Sequence, residues 1–247
     1  MTRFYITRPE NQAFELMQKL EAYTQKFNVG YEFEHWPIFK TLDIQLSGQA
    51  QSWLYNFDEY NYVFVASKYA ANQLLDYLDE RWPMLPMGPE FVCPGSATAS
   101  VLGHTDRIIS YPNNKMDSDA VLKMSMFADE ALIDSKKWLI VSGQGGLRKI
   151  QTHLNKHTQH VDELDLYQRI ELKKPPQNTP VTGDVVIVTS AETLEQVESL
   201  LKKKTHDLVL WVSSDRIKQK ANKWKSILIM KNALDQTILE TVENYEC

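Results

Sequence analysis

Val185-Val-Ile-Val-Thr-Ser190 leads without a break into the helix-patterned stretch Ala191 to Lys202, and Tyr62-Val-Phe-Val-Ala-Ser67 leads in the same way into Lys68 to Leu78. An apolar, β-branched run that ends in Ser reads as a buried strand handing the chain to a capped helix. Each copy is followed, after about one helix and a loop, by a second strand with small polar residues at its end. These are Phe91-Val-Cys-Pro-Gly-Ser96 and Leu208-Val-Leu-Trp-Val-Ser213-Ser214. The repeat predicts a pair of similar open α/β units. Ligands of open parallel sheets sit beyond the carboxyl ends of the strands, which is where these Ser, Thr and Gly residues fall.

Outward from the repeat, Phe4-Tyr-Ile-Thr7-Arg8-Pro9 reads as a strand and turn. A helix is expected from about Asn11 to Lys26, with Phe14, Met17, Leu20 and Phe27 on its buried face. Tyr31 to Phe39 alternates loosely and is interrupted at Pro37, which suits an edge or connecting strand. A short helix is expected around Ala50 to Tyr55, and a longer one from Ser118 to Ala131 with Ser118 as N-cap. Lys137-Trp-Leu-Ile-Val-Ser142 then enters the turn Gly143-Gln-Gly-Gly146 and a helix over Leu147 to Lys156.

Val161 to Leu172 alternates as a long strand, and its expected mate is Tyr31 to Phe39. Pairing these would carry the chain from a first domain into a second and back. The expected fold is α/β and bilobal: two flavodoxin-like open parallel-sheet domains joined by a two-stranded antiparallel ladder. The expected division is a discontinuous domain over residues 1–36 and 173–247, a second over 42–162, and connecting strands over 31–40 and 161–172.

Bulk properties agree with this. The 247 residues are 43% hydrophobic and 24% charged, ordinary values for a globular chain with enough interior to fold without staples. The N-terminal residues lack a signal-peptide pattern and no apolar stretch reaches spanning length, so a cytoplasmic location with no membrane partner is expected. Cys93 and Cys247 suggest neither a disulfide framework nor a thiolate metal site. A net charge of −5 argues against nucleic acid as partner, and Lys202-Lys-Lys-Lys-Thr reads as a solvated helix end. An anionic small molecule is compatible, because backbone N–H groups at helix N-termini supply local positive potential whatever the total charge.

Several stretches, in one order along almost the whole chain, resemble the uroporphyrinogen-III synthase family. They are Ile6-Thr7-Arg8-Pro9, Val65-Ala-Ser67, Gly95-Ser-Ala-Thr98-Ala99, Gly143-Gln-Gly-Gly146, Asp165-Leu-Tyr167-Gln-Arg169, Val188-Thr-Ser190 and Val212-Ser-Ser214-Asp-Arg216-Ile. The resemblance implies two α/β domains with the substrate in the cleft between them, no cofactor and no metal. It implies that hydroxymethylbilane, a linear tetrapyrrole carrying eight carboxylates, is closed to uroporphyrinogen III with loss of water and inversion of ring D, a lyase reaction of haem and sirohaem biosynthesis. A monomer acting on this small molecule is expected.

On the same resemblance, Tyr167 is the candidate catalytic acid. Substrate-binding donors are expected at Thr7, Arg8, Ser67, Ser96, Thr98, Ser142, Gly143, Gly145, Arg148, Thr189, Ser190, Ser213 and Ser214. Tyr also packs well in sheets, and Ser and Thr at these places also serve as N-caps, so packing and capping stand beside the functional roles. Arg8 and Arg148 suit a carboxylate or, equally, a protein ion pair. The chain departs from the family pattern at Ser142, where relatives often place Arg, and at Pro94.

Other readings fit less well. Gly143-Gln-Gly-Gly146 lacks the G-x-G-x-x-G spacing of a dinucleotide fingerprint, and no Walker lysine follows. His153, His157 and His160 fall at helical spacing without the accompanying ligands of a metal site. No Ser sits in a G-x-S-x-G elbow. The rival from another class is a non-catalytic two-lobed binding protein for a small anion, which would place hydroxyls and helix N-termini in the same way.

Overall fold

The computed structural model describes residues 1–113, 118–146 and 148–245, apart from the side chains of Asn11 and Lys203. The chain forms β1 (Thr2–Ile6), α1 (Glu10–Phe27), β2 (Tyr31–His35), β3 (Phe39–Asp43), α2 (Gly48–Tyr55), β4 (Tyr62–Val65), α3 (Lys68–Arg81), β5 (Glu90–Val92), α4 (Ser96–Leu102) and β6 (Ile109–Ser110). It continues through α5 (Ser118–Val121), α6 (Ser125–Ala128), α7 (Glu130–Asp134), β7 (Trp138–Gln144), α8 (Lys149–His157) and β8 (Val161–Glu171). The last elements are β9 (Val185–Val188), α9 (Ala191–Leu201), β10 (Val209–Val212), α10 (Asp215–Lys218), β11 (Ser226–Ile229) and α11 (Asp235–Glu243).

Two compact units result, one of Met1–Thr41 with Ile170–Cys247 and one of Leu42–Arg169. The first carries a parallel sheet in the order β11-β10-β9-β1-β2. The other sheet runs β3-β8-β7-β4-β5-β6, and its strands from β8 to β6 are parallel. Both are doubly wound: the chain leaves the first parallel strand, β1 or β4, toward one edge, then returns to that strand's other side and builds toward the opposite edge.

The strands show why. Val185–Val188 and Val63–Val65 are buried at every position or nearly so, as parallel strands covered on both faces must be. Alternate residues feed opposite cores: Val186, Val188, Leu210 and Val212 pack on one face of the first sheet, and Phe4, Ile6, Val185, Ile187 and Trp211 on the other. In the second, Val63, Val65, Leu139 and Val141 face one core and Phe64, Trp138 and Ile140 the other. Each such side chain contributes about 1.5–3 kcal/mol on burial.

The connecting pair differs from the expectation. Pro37 splits the run Tyr31 to Phe39: Tyr31–His35 becomes β2, parallel to β1, and the neighbour of β8 is β3. Ile44 N–H donates to the Leu166 carbonyl (2.9 Å) and Leu172 N–H to that of Ile38 (2.8 Å), so one strand advances as the other retreats. This is an antiparallel pair, and the chain crosses between units in it, once in each strand. Proline has no N–H to give a ladder, so a strand ends where Pro37 stands.

Two helices also differ. In α1 the buried face is Ala13, Leu16 and Leu20, while Phe14 and Phe27 are 65% and 54% exposed. Phe14 lies one step from Ala13, about 100° around the helix and off the stripe; Phe27, seven residues after Leu20, is in line with the stripe but is the last residue of the helix. The expected Ser118 to Ala131 helix is three short ones, because Met124 is extended and Asp129 starts α7 afresh by accepting from the N–H groups of Ala131 and Leu132. The helix expected over Leu147 to Lys156 starts at Lys149; Leu147 and Cys247 lie outside the described residues.

Candidate active site

In the Leu42–Arg169 unit the chain leaves β4 toward β5 and β6 and comes back to β7 and β8 on the other side. The strand order thus reverses between β4 and β7, and the carboxyl ends at such a reversal are the position open α/β sheets use for ligands. Ser67 follows β4, Ser142 and Gly143 are near the end of β7, and Tyr167 is the last residue but one of β8 paired with β7.

Tyr167 is brought there by a bulge. Ser142 pairs with Asp165 but Gly143 pairs with Tyr167, leaving Leu166 as an extra residue. Strict alternation would send Leu166 and Tyr167 to opposite faces; with the bulge both join the core that holds Leu164. Tyr167 is 8% exposed, and its hydroxyl lies 3.1 Å from Ser67 Oγ. Ser67 also caps α3, accepting from the Ala70 N–H at 3.1 Å. The Tyr69 ring meets that of Tyr167 edge to face, with centroids 4.9 Å apart, and its hydroxyl donates to Asp43 Oδ1. Burial and that hydrogen bond push the Tyr69 phenol up to about 12.

The phenol of Tyr167 is thus oriented by a hydroxyl rather than held by a carboxylate. Tyr60, elsewhere in the same core, donates to Asp162 (2.7 Å), and burial with that carboxylate raises it far beyond useful acidity. Tyr69 and Asp43 were not among the sequence candidates. The only local signal was an aromatic residue in the first turn after Ser67.

The other candidates of this unit divide. Ser142 donates to Asp165 Oδ1 (3.1 Å). Ser96 opens α4, whereas Thr98 is buried within it. Gly145 has φ of 77°, a left-handed turn that favours glycine, and the turn closes with Gly146 N–H on the Gly143 carbonyl. Arg148 is exposed, makes no ion pair among the described residues, and borders an open groove of about 420 Å³ with Lys149, Thr152, His153 and Lys156. His153 is bonded to the Phe127 carbonyl and His157 lies near Glu130. No metal-binding group of three or more His, Cys, Asp or Glu occurs among the described residues.

The other unit reverses between β1 and β9. Thr7, Thr189, Ser190, Ser213 and Ser214 lie at the carboxyl ends of the adjacent strands β1, β9 and β10. Thr7 is 1% exposed and donates to the Ile187 carbonyl (2.6 Å). Arg8 is 8% exposed; it pairs with Asp235 and donates to the Ala233 carbonyl, fastening the approach to α11. Ser190 caps α9 on the Thr193 N–H, and Ser213 donates to the Thr189 carbonyl (3.2 Å). Ser214 makes no side-chain cap bond at α10. Thr189, Ser190, Ser213 and Ser214 are half-buried, so each keeps a face toward solvent. No helix among the described residues is long and apolar enough to cross a membrane.

A family model described as Uroporphyrinogen-III synthase HemD matches residues 21–233. A uroporphyrinogen-III synthase from Proteus mirabilis is 27% identical over 169 residues, 67% of this chain and 79% of that one. Among solved structures, a mutant uroporphyrinogen III synthase from Thermus thermophilus aligns over 98% of both chains with a TM-score of 0.62 at 9% identity. A uroporphyrinogen-III synthetase from Helicobacter pylori aligns over 87% of this chain and 93% of that one, with a TM-score of 0.57 at 13% identity. At such identities the structural likeness speaks for the fold.

Proposed function

Because the chain belongs to the uroporphyrinogen-III synthase family, we propose that it cyclises hydroxymethylbilane to uroporphyrinogen III, with Tyr167 as the acid that assists loss of the terminal hydroxyl. The observation that carries this reading is the Tyr167 hydroxyl at the β4–β7 reversal, hydrogen-bonded to Ser67 and to no carboxylate among the described residues. A phenol so placed keeps a proton to give.

The step begins with transfer of that proton to the departing hydroxyl as its carbon–oxygen bond breaks. Water leaves and the chain end becomes an electrophilic azafulvene. Attack by the substituted carbon of ring D gives a spiro intermediate, and its fragmentation and reclosure invert the ring. Closure releases a ring proton, which returns to the phenolate, so the balance is loss of one water.

Substrate carboxylates are read by the strand-end hydroxyls and helix N-termini of each unit, with Ser190, Ser214 and the exposed Arg148 as the donors best placed. Thr7 and Arg8 act through the backbone they hold. Alignment of the flexible chain is the larger effect: well-positioned intramolecular reactions gain on the order of 7–11 kcal/mol, against roughly 3–5 kcal/mol for one general acid.

The test supplies enzymatically generated hydroxymethylbilane and identifies the isomer formed. Wild-type protein is expected to give type III above the spontaneous type I background, and Tyr167→Phe to lower kcat by about 100-fold or more with KM little changed. Unaltered turnover in Tyr167→Phe removes the acid role. An isomer ratio equal to the spontaneous one with wild-type protein removes the synthase reading and leaves an anion-binding protein.

A further inference from the structure

The Tyr167 ring occupies the space that a side chain on residue 143 would fill. A Cβ built on Gly143 would lie 2.3 Å from Cε2, 2.4 Å from Cζ and 2.8 Å from Cδ2 of that ring. Gly143 is not among the glycines with positive φ, which are Gly145 and Gly183, so its backbone does not call for glycine. The close approach does, as in sheets where an aromatic ring covers a glycine on the neighbouring strand. On another side the ring meets the edge of Tyr69.

The hydroxyl is fixed as well. Ser67 Oγ already accepts the Ala70 N–H, which leaves the serine proton unspent by the cap. Across the 3.1 Å to Tyr167 either group can donate. If the phenol donated, its proton would be spent inside the protein. If Ser67 donates, the phenol proton turns outward and the serine stands ready for the negative oxygen left after transfer.

We propose, resting on the reading of Tyr167 as the acid, that Gly143 and Ser67 are positioning residues acting through Tyr167, not substrate contacts. Gly143 leaves room for the ring; Ser67 donates to the phenol oxygen and so aims the phenol proton at the departing hydroxyl. The α3 cap and the proton geometry are one device, because the backbone N–H of Ala70 decides what the serine has left to give.

A double-mutant cycle tests the glycine. Gly143→Ala is expected to lower Tm and to cut kcat about tenfold or more, with KM within about twofold. Added to Tyr167→Ala, where the ring is gone, it should change neither Tm nor kcat further. Additive effects would overturn the assignment, since they would mean that Gly143 serves the backbone or the substrate.

The serine is tested by a pair of replacements that both keep a cap. Ser67→Thr retains the donor and should hold kcat within about threefold. Ser67→Asp caps as well but has no proton to give at neutral pH; kcat at saturation should fall as far as in Tyr167→Phe with Tm preserved. Equal kcat in the two would sink the donor role. Full turnover in Tyr167→Phe would remove the acid reading and the Ser67 role with it, while the thermal coupling of residues 143 and 167 depends on the ring alone and reports separately.

Discussion

At Tyr69 a hydrogen bond to Asp43 joins the first turn of α3 to the end of β3, and the ring so held forms one wall around Tyr167. Burial and the Asp43 carboxylate favour the neutral phenol and push it up to about 12. A group whose folded pKa is raised contributes stability in full below its unfolded value, about 10 for tyrosine, and loses it as pH climbs through 12. Asp43→Asn should therefore bring the Tyr69 ionisation down toward 10, read as the alkaline absorbance difference between each protein and its Tyr69→Phe counterpart. An unmoved titration would show that Asp43 does not hold the proton in place. At this scale the sequence marked out Tyr167 and Ser67, and the fold brings their hydroxyls to 3.1 Å from each other. The Tyr69–Asp43 contact depends on β3 lying beside β8, and the room above Gly143 depends on a one-residue bulge; neither has a local sequence signature.

Among the elements, the strand-end serines show how capping and recognition separate. Ser190 Oγ accepts the Thr193 N–H and lies 2.8 Å from Thr193 Oγ1, whose side chain belongs to a nearly buried residue. Ser190→Ala should cost about 1–2 kcal/mol, seen as a lower denaturant midpoint with an unchanged slope. Ser214 precedes α10 without a side-chain cap bond. Ser214→Ala should leave stability within about 0.5 kcal/mol, so any rise in KM reports a lost substrate contact; a large stability loss would show that it caps after all. Strands β4, β9 and β10 were plain in the sequence because both faces are buried and the apolar run is continuous. The helices were less so. Phe14 is large and apolar, but the stripe on α1 is set by Ala13, Leu16 and Leu20, and Phe27, in line with that stripe, stands at the last position of the helix. Between Ser118 and Ala131, Asp129 stops one helix by starting the next.

For the molecule as a whole, the repeated strand–Ser–helix phrase foretold two sheets because each copy marks the reversal point of one: Ser67 beside the β4–β7 boundary, Ser190 beside β1–β9. The partner of β8 differs from the expected one because a long alternating strand announces that it pairs, not with which segment. Among the described residues, two buried clusters draw wholly on Leu42–Arg169 and two wholly on the remainder. A unit with its own core and a complete sheet should fold alone. Residues 42–169, expressed by themselves, should show a cooperative thermal transition and dispersed amide resonances, and should keep the Tm coupling of Gly143 to Tyr167. The other unit can be closed into a single shortened chain. The bonds from Leu172 to Ile38 and from Ile44 to Leu166 set the register, and stepping along both strands brings Leu42 opposite Gln168. Asn-Gly in place of residues 43–167 then makes a two-residue hairpin of type I′, and this chain should also fold. Neither piece, nor their mixture without a connecting ladder, should yield type III product above background. Fragment 42–169 that binds ANS and melts without a transition would show that its core is completed from outside, and that the geometry at its reversal point is not the property of one sheet.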